Sequence, residues 1–521
     1  MAHRRNAVIG TNRTTVAKVI RSSAISTVVS TLAALFVLPR VLRGVDVTRY
    51  GEWATLAGVL AIGQLAEAGV GTEIARRVAT AHGKGDSWGV RLAVRQGTTV
   101  LIGVAAILEV TGVLVARPVI NLVFATVGVG QRGQLALLLI GMVSLLAVGL
   151  VGSGYFGILA GLQRTDYGNW SGIVSIIIGA AVTVSGVALD LGLWALLLGD
   201  SAQLLVSWVG PVIGMRRVVP DVRFGLTRVT LTVALGFIGM PAMLVVGSAS
   251  TLFDSQVDKL VLAHNVGPKA SAMFQIGAQI VLSARGVALI PLTVLLAGTA
   301  ELYRTNPSRL RHLEGLAGRS AQAIASVTAG GFLIFSSSFL RVWLGPGYGG
   351  AALSLRYLAL AALLNAWSAP WFYYAVGRGR YHYVLIASSA NLVVNALGTI
   401  FLTTHIGLLG ALIGSVAGNS AGTLAGWLVL RRWERRHWLR PALRASAVVA
   451  VVVGPMWFVA NHVPASWFGL AEWGSAYLAA CGVMLLVTRS LPVTLVMTVR
   501  GRPRLHWWAE RVAHPSSADR M

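Results

Sequence analysis

Long apolar stretches recur along the whole of this 521-residue chain. Runs of at least about 18 apolar residues can cross a bilayer core as helices, and the strict alternation that membrane β-strands require is missing. The pattern therefore predicts an all-α polytopic membrane protein with fourteen transmembrane helices. The predicted spans are 16–38, 49–73, 96–116, 134–158, 168–189, 192–213, 231–262, 270–302, 316–340, 351–376, 382–403, 407–430, 445–461 and 473–489.

The composition favours a membrane protein over a soluble one. Charged residues make up 12% of the chain and hydrophobic residues 55%, and the mean hydropathy is +0.72. A soluble protein of ordinary composition carries about a quarter charged residues. The low content of charged residues therefore favours a helical membrane protein.

The net charge of +25 reports topology. If the N-terminus is cytoplasmic, most Lys and Arg residues fall in connecting segments on that side, as the positive-inside rule requires. We expect both termini to be cytoplasmic in a bacterial plasma membrane, with anionic lipid headgroups as partners of the basic loops. The same placement argues against nucleic acid as a partner.

Two short motifs occur once in each half of the chain. GLQRTDY begins at Gly161 and GRGRYHY at Gly377, while GLWALLLG begins at Gly192 and GLLGALIG at Gly407. A repeat unit of six helices returns the chain to its starting side, so the two lobes are parallel and a binding site is expected between them. The predicted organisation is an N-lobe at 1–214, a C-lobe at 215–432, an accessory helix pair at 433–492 and a basic interfacial tail at 493–521.

In the span 407–430, glycine recurs at every fourth residue. This spacing predicts one ridge along the helix that allows a second helix to approach closely. The ridge consists of Gly410, Gly414, Gly418, Gly422 and Gly426.

Two longer segments carry a family resemblance. LPRVLRGVDVTRYGEWATLAGVLAIGQLAEAGVGTEIARRVA (Leu38 to Ala79) and STLFDSQVDKLVLAHNVGPKASAMFQIGAQI (Ser250 to Ile280) resemble the MOP superfamily, and within it the Wzx-type polysaccharide flippases. Met273 departs from the tyrosine usual in that family, whereas its mirror position keeps Tyr50.

The resemblance implies a transporter and not an enzyme. In such a transporter, two six-helix lobes pass a polyprenyl-diphosphate-linked oligosaccharide, the repeat unit of a cell-surface polysaccharide, across the membrane by alternating access. It also implies membrane lipids and the polymerase or assembly proteins of polysaccharide synthesis as further partners.

Arg285 lies near the middle of the span 270–302, too far from either interface for its side chain to reach water. A guanidinium fork suits a diphosphate. By the resemblance, Arg285 and Asp258 match positions associated with transport, and Arg21 matches a lumen-facing arginine of lipid II flippases. We expect Arg285 and Arg21 to line the substrate cavity; a structural ion pair for Arg285 and extension of Arg21 to the cytoplasmic surface are the alternatives.

Four embedded acids are candidates for coupling or gating, namely Asp258, Asp254, Glu67 and Asp200. Asp254 and Asp258 are four residues apart and share a helix face. An embedded carboxylate can carry H⁺ or coordinate Na⁺; the alternative is that these acids pair with arginines and hold a gate shut. No other cofactor is expected.

Asn391 and Asn395 share one face of the span 382–403. Their amides suit the hydroxyl groups of a sugar, which makes both residues candidates for substrate binding. Hydrogen bonding between helices is the alternative.

Several functions remain open at this point. The leading one is a flippase for a lipid-linked oligosaccharide, followed by a lipid II flippase or a cation-coupled multidrug exporter of the same superfamily, and then by a membrane polysaccharide polymerase or glycosyltransferase. The outer connections are short and the longest, near 117–133, contains no acid, which counts against an enzyme. Two helices beyond twelve suit a groove for a lipid tail and favour the first function.

Overall fold

A computed structural model of the chain describes residues 13–220, 225–237, 256–430, 432–459, 466–488 and 490. Within these ranges the regular structure is entirely helical. The helices are α1 (Arg13–Val45), α2 (Val47–Gly83), α3 (Ser87–Val123), α4 (Val129–Gly161), α5 (Asp166–Ala188), α6 (Trp194–Val218), α7 (256–265), α8 (Pro268–Thr305), α9 (Pro307–Trp343), α10 (Gly349–Gly377), α11 (Tyr381–Ile406), α12 (Leu408–Val429), α13 (Arg432–Val459) and α14 (Trp467–Val487).

Among the described residues, eleven helices are long and apolar enough to cross a membrane, namely α3 to α6 and α8 to α14. The chain is therefore a multi-pass membrane protein, as the apolar pattern predicts. The other three predicted spans, 16–38, 49–73 and 231–262, include positions whose side chains are not described. The total of fourteen crossings stays a prediction.

The chain divides into two compact units. The first unit consists of residues up to Ala278 together with Asn391–Gly418, and the second consists of Gln279–Ala390 together with the chain from Asn419 onward. Helices α8 and α12 each begin in the first unit and end in the second. The predicted lobes 1–214 and 215–432 do not coincide with these units and stay a prediction.

Helices of the first unit pack closely wherever two backbones meet at glycine. A Cβ atom on Gly157 of α4 would lie 2.7 Å from the carbonyl oxygen of Gly71 on α2, and one on Gly179 of α5 would lie 3.0 Å from the carbonyl oxygen of Gly199 on α6. Contacts this short exclude any larger residue without a shift of the helix.

The predicted glycine ridge of α12 is confirmed as a close-packing surface. A Cβ atom on Gly410 would overlap the backbone of Leu402, and one on Gly414 would lie 2.8 Å from the backbone nitrogen of Thr399. At Gly418 the nearest atom is Asn391 Oδ1, at 2.6 Å. Gly410, Gly414 and Gly418 therefore let α12 pack closely against α11, whereas Gly426 of the same ridge packs against the ring of Trp371 on α10.

In the second unit, α13 and α14 pack on α9 through an apolar core. Ala323, Ile334, Val449 and Leu485 are all buried in it. Tyr477 of α14 places its hydroxyl group against Gly330 and its ring against Gly331 of α9, and it donates a hydrogen bond to the carbonyl of Val327 at 2.8 Å. The predicted accessory pair is thus built onto a helix of the C-terminal half.

Arg356 of α10 ties the same unit together at a second point. Its guanidinium donates to Ser336 Oγ at 2.8 Å and to Ser337 Oγ at 2.9 Å, both on α9, and lies 5.2 Å from the ring centroid of Trp457 on α13. The charge is satisfied by hydroxyl groups and an aromatic face.

Candidate functional site

A buried carboxylate cluster lies in the first unit, where α7, α11 and α12 meet. Asp258 of α7 has no exposed surface. Thr399 Oγ1 donates to its Oδ1 at 2.7 Å, Ser415 Oγ donates to its Oδ2 at 2.7 Å, and Asn395 Nδ2 donates to the same oxygen at 3.4 Å. Three helices therefore supply polar groups to one acid.

The local sequence explains how these groups meet. Asn395 and Thr399 are four residues apart and so share one face of α11, while Ser415 follows Gly414, where α12 lies against Thr399. Thr399 Oγ1 also lies 3.2 Å from Asn395 Oδ1. Close helix approach at glycine brings short polar side chains within reach of the acid.

Lys259 is buried beside this cluster, with 3% of its surface exposed. Its stem lies over Gly58 of α2, where a Cβ atom would be 3.5 Å from Lys259 Cε. An acid and a base in consecutive positions thus reach different helices of the same unit.

The cluster suits a small hard cation or a proton. Carboxylate, hydroxyl and amide oxygens are the ligands that hard cations prefer, and a carboxylate in a membrane interior is a group that carries ions or protons. Among the described residues there is no group of three or more His, Cys, Asp or Glu that could hold a metal ion. The Asp258 cluster offers one carboxylate, two hydroxyl groups and one amide.

Arg285 lies in the second unit, on α8. It is half-buried and lines a small pocket that is otherwise mostly apolar. Its neighbours in the lining include Ala325 and Phe332 on α9 and Ala362 on α10, and the lining contains no acid. The guanidinium of Arg285 therefore lines a pocket formed by side chains of α8, α9 and α10.

A set of contacts closes one end of the first unit. Thr55 Oγ1 of α2 and Ser271 Oγ of α8 share a hydrogen bond at 2.8 Å, and both side chains are fully buried. A Cβ atom on Gly51 would overlap the carbonyl oxygen of Pro268. The charge distribution predicts this end to be the outer one, so we name these contacts the outer closure.

Two further hydrogen bonds belong to the outer closure. Asn265 Nδ2 donates to Thr403 Oγ1 at 2.8 Å, which joins α7 to α11. His264 Nδ1 contacts the carbonyl of Leu122 at 2.6 Å, which joins α7 to α3. Helices from both halves of the sequence are therefore linked at the same end.

Glu52 is a buried acid that sequence reasoning missed. It has no exposed surface, accepts a hydrogen bond from Arg49 Nη1 at 3.3 Å and accepts another from Gln131 Nε2 of α4. Its position close to the end of a predicted span made it resemble an interfacial residue. The nearby Arg49 was the available signal, since an acid three residues from a base on a helix can pair with it.

At the opposite end of α2, two arginines donate hydrogen bonds to the same acid, Glu73. Glu73 Oε1 accepts from Arg76 at 2.6 Å and from Arg77 at 2.7 Å. The Glu73 carboxylate raises the pKa of Arg76 above its ordinary value. Arg77 also lies over the ring of Phe237, 3.9 Å from the centroid, which anchors the described segment 225–237 to α2.

The other predicted site residues differ in their exposure and in whether the structure describes their side chains. Arg21 lies on α1 and Glu67 on α2, but their side chains are outside the described set, and Asp254 lies outside the described residues. Asp200 lies on an exposed position of α6. Of the predicted coupling acids, Asp258 alone is described as a buried side chain.

The two predicted asparagines take different environments. Asn395 is 1% exposed, and its amide binds Asp258, so in this conformation it is placed for contact between helices and not for contact with a sugar. Asn391 is half-buried, and its Oδ1 has no hydrogen-bond partner among the described residues. The sequence predicts the same role for both asparagines. In the structure they lie one helical turn apart, and Asn395 is buried whereas Asn391 is only half-buried.

Glu109 of α3 is a second embedded acid with a hydroxyl partner. Ser144 Oγ of α4 donates to Glu109 Oε1 at 2.7 Å. Its Oε2 is buried without a hydrogen-bond partner among the described residues. This acid is set between two helices of the first unit, apart from the Asp258 cluster in sequence.

Comparison with solved structures identifies the fold. An inward-facing multidrug resistance MATE family transporter of the MOP superfamily superposes with a TM-score of 0.59 at 16% identity, over 80% of this chain and 95% of its own. The lipid II flippase MurJ, in an inward closed conformation, superposes with a TM-score of 0.63 at 13% identity, over 89% of this chain and 98% of its own. The chain has the fold of the MATE and MurJ transporters.

Both of these neighbours are transporters and not enzymes. No protein-family model matches the chain, and no curated protein matches it. The fold is the one that the predicted resemblance implies, and membership of the MOP superfamily stays a prediction. The Wzx-type branch within it stays a prediction.

Proposed function

We propose that this protein is a flippase that carries a polyprenyl-diphosphate-linked oligosaccharide across the bacterial plasma membrane by alternating access. The observation that carries the proposal is the pair α13 and α14, packed on α9 and following the twelve helices that are predicted to form two six-helix lobes. These helices present large exposed apolar side chains, including Phe458 and Phe468 at 79% and 81% exposure. Such a surface suits a long lipid tail that stays in the bilayer while its headgroup crosses.

The extent of the fold comparison supports the same choice. The superposition covers 89% of the chain for the lipid II flippase and 80% for the multidrug transporter. A larger share of this chain therefore has counterparts in a protein that moves a lipid-linked substrate. This supports a flippase for a lipid-linked substrate.

Arg285 is proposed to bind the diphosphate. The guanidinium is half-buried and lines a small pocket among apolar side chains, and a charged residue inside a membrane protein commonly marks the path of a substrate. Its planar fork donates in pairs, which matches phosphate oxygens. Arg21 and Asn391 are proposed to help line the path of the substrate.

The Asp258 cluster is proposed to couple transport to an ion gradient. Binding of H⁺ or Na⁺ at Asp258 would change the hydrogen bonds that hold α7 against α11 and α12. Asn395 is reassigned from sugar binding to this cluster. Helices α7 and α11 also carry Asn265 and Thr403 of the outer closure. Ion binding at the Asp258 cluster and opening of the outer closure are therefore linked through these two helices.

Direct identification of the cargo tests the proposal. Deletion of the gene in its bacterial source should cause a polyprenyl-diphosphate-linked oligosaccharide to accumulate, accessible to glycosidase only after the plasma membrane is permeabilised. Accumulation of lipid II instead would assign the protein to peptidoglycan synthesis. Unchanged lipids together with increased sensitivity to cationic drugs would overturn the flippase and indicate an exporter.

A further inference from the structure

A basic cavity in the second unit shares no lining residue with the Arg285 pocket. Its volume is about 430 Å³, and its lining comes from the first half of α9, the end of α10, the start of α13 and Ser490. Cavities of about 300–1,000 Å³ are the size that small molecules and headgroups occupy. Its charged and amide-bearing lining includes Arg311, Arg319, Arg440, Arg444, Glu314 and Gln322.

The charge of this cavity favours a phosphate. Four arginines from two helices outnumber one carboxylate, that of Glu314. Arg319 lines the cavity, and its Nε donates to the carbonyl of Gly315 at 2.9 Å, which holds the side chain against its own helix. Arginine forks bind phosphate oxygens in pairs.

Gln322 adds a requirement that a bare phosphate does not meet. The residue is 1% exposed, its Nε2 donates to the carbonyl of Ala366, and its Oε1 is buried without a hydrogen-bond partner among the described residues. The backbone carbonyl accepts only, so the amide orientation is fixed and Oε1 is left as an acceptor. A ligand that bears a hydroxyl group would supply the missing donor.

The surroundings indicate that the ligand also has an apolar part. Arg440 and Arg444 stand at the start of the apolar part of α13, whose membrane-crossing stretch begins at Leu439. Leu443, between the two arginines, is 45% exposed. The arginine distribution predicts this end of the helices to be cytoplasmic, where anionic headgroups lie.

We infer that this cavity binds the headgroup of an anionic glycerophospholipid that bears both a phosphate and a free hydroxyl group, phosphatidylglycerol in its simplest form. The arginines hold the phosphate, Gln322 Oε1 accepts from the headgroup hydroxyl, and the acyl chains leave along the apolar side of α13. The site joins α9 and α10 to the accessory helix α13, so bound lipid stabilises the attachment of that helix. The inference does not depend on which substrate the protein carries.

Binding of short-chain lipids to the purified full-length protein tests this site. Dioctanoyl phosphatidylglycerol should raise the thermal unfolding temperature and bind at least about tenfold more tightly than dioctanoyl phosphatidylcholine. The double variant R440Q/R444Q should lose that difference, and Q322L should lose the preference for phosphatidylglycerol over dioctanoyl phosphatidic acid, which lacks the headgroup hydroxyl. The matched control R216Q/R217Q removes two arginines from the end of α6 in the first unit and should leave binding unchanged.

Three results would overturn the inference. Equal weakening by R216Q/R217Q would mean that only overall charge attracts the lipid. Binding of inorganic phosphate as tightly as the lipid would assign the cavity to a soluble phosphate ester. Unaltered lipid preference in R440Q/R444Q, with the protein still folded by its unfolding temperature, would exclude the cavity altogether.

Discussion

The carboxylate of Asp258 is the acceptor on which the polar cluster of the first unit converges. A carboxylate with no exposed surface is stable in a helical bundle only if hydrogen bonds or a cation offset the loss of water. Thr399 and Ser415 provide two such hydrogen bonds at 2.7 Å. The acid is therefore held in place by neutral groups that can turn their hydroxyl oxygens toward a bound ion.

Replacing Asp258 tests its role in coupling. The variant D258N keeps the shape and removes the charge, so transport should lose its dependence on Na⁺ or on pH and fall by at least about tenfold, as expected where a membrane-embedded ion carrier is removed. The measurement is the initial transport rate in proteoliposomes against Na⁺ concentration and pH. E472Q, which neutralises an acid on the accessory helix α14, should behave like the wild type; a D258N protein with intact ion dependence would contradict the role.

Arg285 gives a second prediction at this scale. The variant R285Q removes the charge and should abolish surface polysaccharide, while R285K keeps the charge without the fork and should retain partial activity, with at least about a tenfold loss. Surface polymer and the amount of protein in the membrane are measured together. R341Q, at an exposed position of α9, serves as the control, and normal polymer from R285Q would remove Arg285 from the mechanism.

The sequence identified the charged members of these sites and missed the hydroxyl groups. Asp258 and Asn395 were recognisable because an acid or an amide inside an apolar run is costly. Thr399 and Ser415 carry no such signal, since a hydroxyl group can satisfy itself on its own helix backbone, as Thr403 does on the carbonyl of Thr399. Only the packing of three helices reveals which hydroxyl groups face the acid.

At the scale of the helix, glycine spacing carries the most structural information. The ridge of α12 places Gly414 against Thr399, so helix packing and the geometry of the Asp258 cluster depend on the same contact. A four-residue spacing in the sequence was sufficient to predict the ridge. The partner helix and the acid that the ridge positions could not be predicted, because they depend on which helices become neighbours.

A methyl group on the ridge tests this link. In G414A the new Cβ atom would lie 2.6 Å from Thr399 Oγ1 and 2.8 Å from its backbone nitrogen, which should cost about 1–3 kcal/mol of stability and weaken ion coupling with it. The measurements are the thermal unfolding temperature and the ion dependence of transport. In G482A the Cβ atom meets nothing within 4 Å, so this control should keep or slightly raise stability; equal behaviour of the two variants would contradict the packing argument.

At the scale of the molecule, alternating access requires the outer closure to open during transport. Apolar periodicity and charge distribution predict a multi-pass helical protein, and the structure confirms that class. They do not reveal which helices from the two halves meet, because a contact such as that between Thr55 and Ser271 depends on the conformational state. The division into lobes, likewise, cannot be read from compact units that share α8 and α12.

The most direct test is to lock the outer closure and measure transport. The double variant T55C/S271C is made in a C481A background, which removes the natural cysteine, and the 2.8 Å contact between the two hydroxyl groups brings the new thiols close enough for a disulfide. The protein is reconstituted in proteoliposomes with the glycolipid that accumulates in cells lacking its gene. Oxidation should stop transport of this glycolipid and reduction should restore it, while each single-cysteine variant should stay active. Full-rate transport with the disulfide formed would contradict alternating access through this end of the protein.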